Sequence, residues 1–148
     1  MGSTYLGLHY HLVFATKNRE ELLHASWRGR LYQYMVGTLK SIGAIPQIVN
    51  GVEDHVHLLV GLKSTHCLAD VMRELKKSSS VWIQSAIALP TFSWQEGYGA
   101  FTVAPTTRDA TRAYIANQEK HHERVSSRDE LIELLDLAGE PYNLAYLE

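Results

Sequence analysis

The chain has 148 residues, 45% of them hydrophobic and 20% charged, which is long enough for one domain with a buried core and ordinary for a globular protein, and so excludes the disordered and fibrous classes. No apolar run approaches the roughly 20 residues of a membrane span, and MGSTYLGLHYH lacks a charged stretch leading into an apolar one, so a single cytoplasmic domain over 1–148 is expected. The formal net charge of −2 argues against indiscriminate nucleic-acid binding, yet it conceals nine basic against six acidic residues up to Lys77 and five against ten beyond it, a split compatible with a basic groove in the first half or with a mixed solvated surface.

Residues 6 to 15, LGLHYHLVFA, read as a strand of β-branched and aromatic residues. From Glu20 to about Ile42, Leu22, Leu23, Trp27, Leu31, Tyr34, Met35 and Leu39 recur at steps of three and four, which predicts a helix stopping at Gly43. Ala44 to Val49 is strand-like, with Pro46 pointing to an edge or a strand start. Asn50-Gly51 is a hairpin signal leading into a strand from His55 to Leu62. Leu68, Val71, Met72, Leu75, Val81, Trp82 and Ile83 mark a second helix ending before Pro90, and the single cysteine, Cys67, reads as a half-buried thiol without a disulfide partner. GYGAFTV at 97 to 103 gives a fourth strand. Thr106 or Thr107 can cap a third helix running to about His122, and Ser127, three residues before Glu130, matches a capping box opening a fourth. The order β-α-β-β-α-β followed by two helices predicts an α+β, ferredoxin-like antiparallel sheet with two helices on one face.

In EDHVHLLV, residues 53 to 60, side chains alternate between the two faces of the strand. Val56, Leu58 and Val60 therefore point towards the helices, while His55 and His57 share the opposite face, roughly 6.5 to 7 Å apart along the strand. Two imidazoles at that separation can converge on one ion if another element supplies a third ligand. Spacing alone does not separate such a pair from two hydrogen-bonding strand histidines, and His9 and His11 repeat it and read as the latter. Further along, RAYIANQEKHH places Tyr114 and Gln118 on one helix face. Gln118 offers an amide oxygen, a hard ligand for a divalent cation, and Tyr114 a phenol. His121 and His122 read as solvated helix-end residues within reach of proton transfer.

EDHVHLLV resembles the His-hydrophobe-His motif, and YIANQEKHH the tyrosine helix, of the HUH single-tyrosine transposases. These are the IS200-like enzymes of TnpA type, from insertion sequences that move as single-stranded DNA. HYHLVFATKNRE, RELKKSSSVWI, FSWQEGYGAF and ELIELLDLAGEPYNLAYL resemble further segments of that family, so the likeness extends over nearly the whole chain. It implies Tyr114 as nucleophile, His55, His57 and Gln118 as metal ligands, and Mg²⁺ or Mn²⁺ as the metal. It also implies a single-stranded DNA hairpin as substrate, a 5′-phosphotyrosine intermediate, and a homodimer in which the tyrosine helix of one subunit serves the histidines of the other. Lys17, Arg19, Arg73, Lys76 and Lys77 are candidate phosphate contacts, although RELKK at helical spacing is equally an ordinary solvated face. A domesticated or non-catalytic ferredoxin-like nucleic-acid-binding protein is the alternative. On that reading Tyr10 and Phe14, opposite to His9 and His11, are either base-stacking platforms or core.

Overall fold

The computed structural model describes residues 2–147. The elements are β1 (His9–Ala15), α1 (Ala25–Ser41), β2 (Ile45–Gly51), β3 (His55–Gly61), α2 (Leu68–Ala86), β4 (Gly99–Thr102), α3 (Arg108–Ala116), α4 (Gln118–His121) and α5 (Ser127–Ala138). The strands form one antiparallel sheet in the order β2-β3-β1-β4. This is the ferredoxin-like, α+β arrangement expected from the alternation of elements. Among the described residues no helix is long and apolar enough to cross a membrane.

The two sheet faces carry different chemistry because alternate residues of the central strands were chosen differently. Leu12 and Phe14 of β1 and Val56, Leu58 and Val60 of β3 join Leu31, Met35, Leu39, Val71, Met72, Leu75 and Ile83 of α1 and α2 in the main core. Tyr10 packs against the same cluster, so Tyr10 and Phe14 are core residues and not stacking platforms. Burying a side chain of this size contributes roughly 1.5–3 kcal/mol, and this repeated burial holds the sheet to its two helices. The other face carries His9, His11, Val13 and Ala15 beside His55, His57 and Leu59. A small second cluster of Leu59, Val103 and Ile115 attaches α3 there. That face is therefore covered, and the two β3 histidines are buried.

Several local features differ from the sequence expectation for identifiable reasons. The first helix begins at Ala25, five residues later than its apolar spacing suggests, because the Leu23 N–H donates to the Glu53 carbonyl (2.9 Å) and ties the preceding segment to the β2–β3 turn. Asn50-Gly51 lies within the ladder, paired with His57 and Val56, and the turn falls at 52–54. Gly51 is required by close approach, since a Cβ there would lie 2.3 Å from the His55 carbonyl oxygen. Asn50 donates from its side-chain amide to the carbonyls of Ile115 (2.9 Å) and Ala116 (3.3 Å). Those carbonyls would otherwise continue the helical ladder, and the predicted single helix to His122 is instead broken at Asn117. The Thr107 side chain makes no cap hydrogen bond. Ser126, not Ser127, caps α5 by accepting from the Asp129 N–H (3.1 Å), which frees Ser127 and Glu130 for other partners. Cys67 is exposed rather than half-buried.

Pro46 lies on the edge strand β2, as a residue without an N–H requires, next to a register shift between Pro46 and Ile48.

Candidate functional site

The buried face of β3 presents His55 and His57 with their rings edge-on, 5.0 Å between centroids. Glu130, near the start of α5 and 1% exposed, enters between them. Its Oε1 accepts from His57 Nε2 (2.6 Å) and lies 3.1 Å from His55 Nε2 and from His122 Nε2. Its Oε2 accepts from the Tyr114 hydroxyl and from Gln118 Nε2 (3.1 Å), with His121 Nε2 at 3.2 Å. One carboxylate thus touches the expected nucleophile and all three expected metal ligands. The structure brings His55, His57, Tyr114 and Gln118 together despite the break in the tyrosine helix, and it adds His121 and His122, which face the cluster and are not solvated helix ends.

A supporting layer orients these groups. His55 Nδ1 donates to Asp54 Oδ1 (2.7 Å), Ser127 Oγ donates to Asp54 Oδ2 (2.9 Å), and Arg19 Nη1 donates to Ser127 Oγ (2.7 Å). On the other side, His57 Nδ1 lies 2.7 Å from His11 Nε2. Arg28 anchors α4 through Glu119 (2.7 Å) and reaches back to the Leu23 carbonyl (3.2 Å).

The electrostatics follow from burial set against these contacts. Burial alone would raise the Glu130 carboxyl, but the surrounding histidines hold it far below the usual carboxylate range. For His55, burial favours the neutral form, yet hydrogen bonds to Asp54 and Glu130 prevail and raise it above the ordinary value. For His57, burial wins and lowers it to about 4. His11 is lowered to about 3, first by burial and then by repulsion from His57. The Tyr114 phenol is raised, first by burial and then by its bond to Glu130, so without a cation the hydroxyl keeps its proton.

The donor chemistry suits a divalent cation. One ligand atom from each of His55, His57, His122 and Glu130 lies within 4.8 Å of the others. His122 donates from Nδ1 to the Val125 carbonyl, and its buried Nε2, although 3.1 Å from Glu130 Oε1, makes no well-aligned hydrogen bond. Gln118 Oε1 is likewise buried without a partner, and a half-turn of the amide exchanges it with the nitrogen that meets Glu130. Unpartnered buried acceptors are costly, about 1–3 kcal/mol each, so two of them on residues around one carboxylate mark a place where a cation fits.

A family model described as an IS200-like transposase matches residues 4–118. The chain belongs to the IS200-like transposase family. Among solved structures, one described provisionally as a transposase of Deinococcus radiodurans R1 is 29% identical, with a TM-score of 0.64 over 80% of this chain and 96% of that one. A REP-associated tyrosine transposase bound to a REP hairpin shares the fold at 16% identity, with a TM-score of 0.59 over 84% of this chain and 76% of that one. No curated protein matches the chain.

In this IS200-like transposase the candidate phosphate contacts divide. Lys17, Arg73 and Lys77 are exposed, with Arg73 also paired to Asp70 (2.7 Å). Lys76 donates to the carbonyls of Gln95 (2.6 Å) and Gly97 (2.8 Å) and fastens the loop before β4, and Arg19 is taken up by Ser127. Sequence reasoning missed Glu130, which it placed in a capping box. The adjacent Ser126, with Asp129 three residues on, was the sign that another pair could cap the helix. Glu130 also lies beyond the residues the family model matches.

Proposed function

We propose that this transposase cleaves and rejoins single-stranded DNA by transesterification, with Tyr114 as nucleophile and His55, His57 and Gln118 as ligands of Mg²⁺ or Mn²⁺. The observation that carries this reading is the shared carboxylate: the Tyr114 hydroxyl and both β3 histidines meet Glu130. A phenol is thereby held against the one cluster of the described residues whose donor set suits a cation. Glu130 and His122 complete that set.

A divalent cation bound there supplies charge stabilisation on the phosphate oxygens. The chain's own residues do the rest. Tyr114 Oη forms the bond to phosphorus while the bond to the DNA 3′-oxygen breaks, leaving a 5′-phosphotyrosine and a 3′-hydroxyl. The phenol proton leaves towards Glu130 Oε2, the group it already donates to, with His121 Nε2 at 3.4 Å as a second acceptor, and the departing 3′-oxygen takes up a proton from solvent. Because one phosphodiester is exchanged for another, an incoming 3′-hydroxyl reverses the step, and an element with hairpin ends can be excised and inserted without a nucleotide cofactor. Lys17, Arg73 and Lys77 would hold the DNA backbone. The hairpin-bound neighbour of the same fold supports a hairpin as ligand.

The test is a labelled single-stranded hairpin from the flanks of the chain's own coding region, incubated with protein and Mn²⁺. A covalent adduct that survives denaturing electrophoresis, needs the metal, and disappears in Tyr114→Phe is expected. Absence of any adduct in the unaltered protein would leave the non-catalytic nucleic-acid-binding reading in its place. The homodimer with exchanged tyrosine helices has its own check, because here Tyr114 reaches the histidines of its own chain. Mixing Tyr114→Phe with His57→Ala restores adduct formation if sites are assembled between subunits and leaves it absent if each chain completes its own.

A further inference from the structure

His11 is read from sequence as an ordinary strand histidine, yet it is 4% exposed and ends 2.7 Å from the inner nitrogen of His57. The register explains the meeting. His11 pairs with Leu59 and Val13 with His57, so His11 and His57 are diagonal neighbours on one face of adjacent strands. Their rings lie nearly parallel at 28°, with centroids 4.9 Å apart, and the rings of Tyr114 and Phe101 border His11 with centroids 6.0 and 6.3 Å away. The ring is held on several sides.

Two imidazole nitrogens at that distance share a single proton: one donates and the other accepts. Ligation of a cation through Nε2 of His57 leaves its proton on Nδ1, and His11 Nε2 stands where it would accept that proton. His55 has the counterpart arrangement, with Asp54 accepting from its Nδ1.

We propose that His11 is a positioning residue for His57, the hydrogen-bond acceptor that fixes its ring with Nε2 turned towards the ligand cluster. This rests on the reading of His57 as a ligand through Nε2. Losing such a supporting partner typically costs about 10- to 100-fold in metal affinity.

Mn²⁺ binding to the DNA-free protein, followed by titration calorimetry, provides the first readout. His11→Leu is expected to weaken binding by about 10- to 100-fold, whereas His11→Gln, whose amide can donate or accept at a similar reach, stays within a few-fold of the unaltered chain. Histidine ¹⁵N NMR of the unaltered protein provides the second and needs no variant to fold. With Zn²⁺ as a diamagnetic probe, His57 should show a ligated Nε2 and a protonated Nδ1 hydrogen-bonded to His11. Unchanged affinity in His11→Leu, equal losses in Leu and Gln, or no hydrogen bond from Nδ1 of metal-loaded His57 to His11 overturns the role of His11. Unchanged affinity in His57→Ala instead removes the ligand reading beneath it, a separate failure.

Discussion

His55 and His57 stand on a strand hydrogen-bonded on both sides, at the centre of a sheet whose far face is the main core. Tyr114, Gln118 and His121 stand on two helical pieces of nine and four residues, with His122 capping the second, attached through Ile115, the Asn50 amide and the Arg28–Glu119 pair. Glu130 joins these halves from a third element. The contrast separates what must stay fixed from what can move. Imidazoles that converge on one point gain from a frame that opens only with the whole fold, whereas a nucleophile that becomes joined to a DNA end sits on a segment with few anchors, and sparsely anchored segments open locally at lower cost.

The largest expected effect breaks the fixed half. His57→Leu removes one of the donors that compensate the buried Glu130 carboxylate, and loss of one partner of a buried charge costs about 3–5 kcal/mol. Urea denaturation in a chelating buffer should show that loss for the whole molecule in a single transition. Ile115→Ala strikes the other half, where deleting an isoleucine side chain costs about 2–5 kcal/mol. Most of that should appear as faster amide hydrogen exchange over 108–121, with the β1 and β3 amides little changed. Equal acceleration in both would show that the halves form one cooperative unit.

The pH dependence sharpens the comparison, because the joining carboxylate and a strand histidine shift in opposite directions. Glu130 is depressed, so its contribution to stability is complete above its ordinary value of 4.5 and is lost as pH falls through the lowered one. His55 is raised, so its contribution is complete below 6.5 and is lost as pH rises through the elevated value. In the metal-free protein these two groups favour stability between those limits, while His57 and His11, lowered to about 4 and 3, take stability away as pH falls below 6.5. Thermal melts should therefore decline from about pH 6.5 downwards, and Glu130→Gln should flatten the most acid part of that limb. The smallest effect is Asn50→Ala, which removes the amide from the Ile115 and Ala116 carbonyls at about 1 kcal/mol. Circular dichroism of the variant should show a slightly lower Tm with helix content preserved.

How far the sequence foretold this depends on which half is considered. The alternation in HVHLLV determines which side of β3 is aliphatic and which carries imidazoles, and in the structure Val56, Leu58 and Val60 indeed pack on the helices. Period-two and period-three-to-four patterns report burial directly, which is why the order of elements and the split βαβ topology were legible. The helical half was legible only in part. Helical periodicity places Tyr114 and Gln118 together, but it does not register that Asn50, some 65 residues earlier, takes the carbonyls at the end of α3. Glu130 was hidden for a related reason: at a helix start, a serine–glutamate spacing fits a local cap as well as a long-range contact. His11 could not be told from His9 by spacing, since only the β1–β3 register places one of them against His57. Arg19 and Lys76 looked like DNA contacts because side-chain charge is visible in sequence and the carbonyls or hydroxyls that absorb it are not.

The two borders of the sheet differ in how readily they would accept another strand. Along β2, Pro46 has no proton to offer and the shift of register beside it interrupts the repeat that an incoming chain would need. Along β4 the exposed ladder is four residues long, too brief a template for extended growth. A protein whose central strands are as aliphatic as LLV and LVF is thereby protected from stacking into fibrils at high concentration, and it keeps those strands for its own interior.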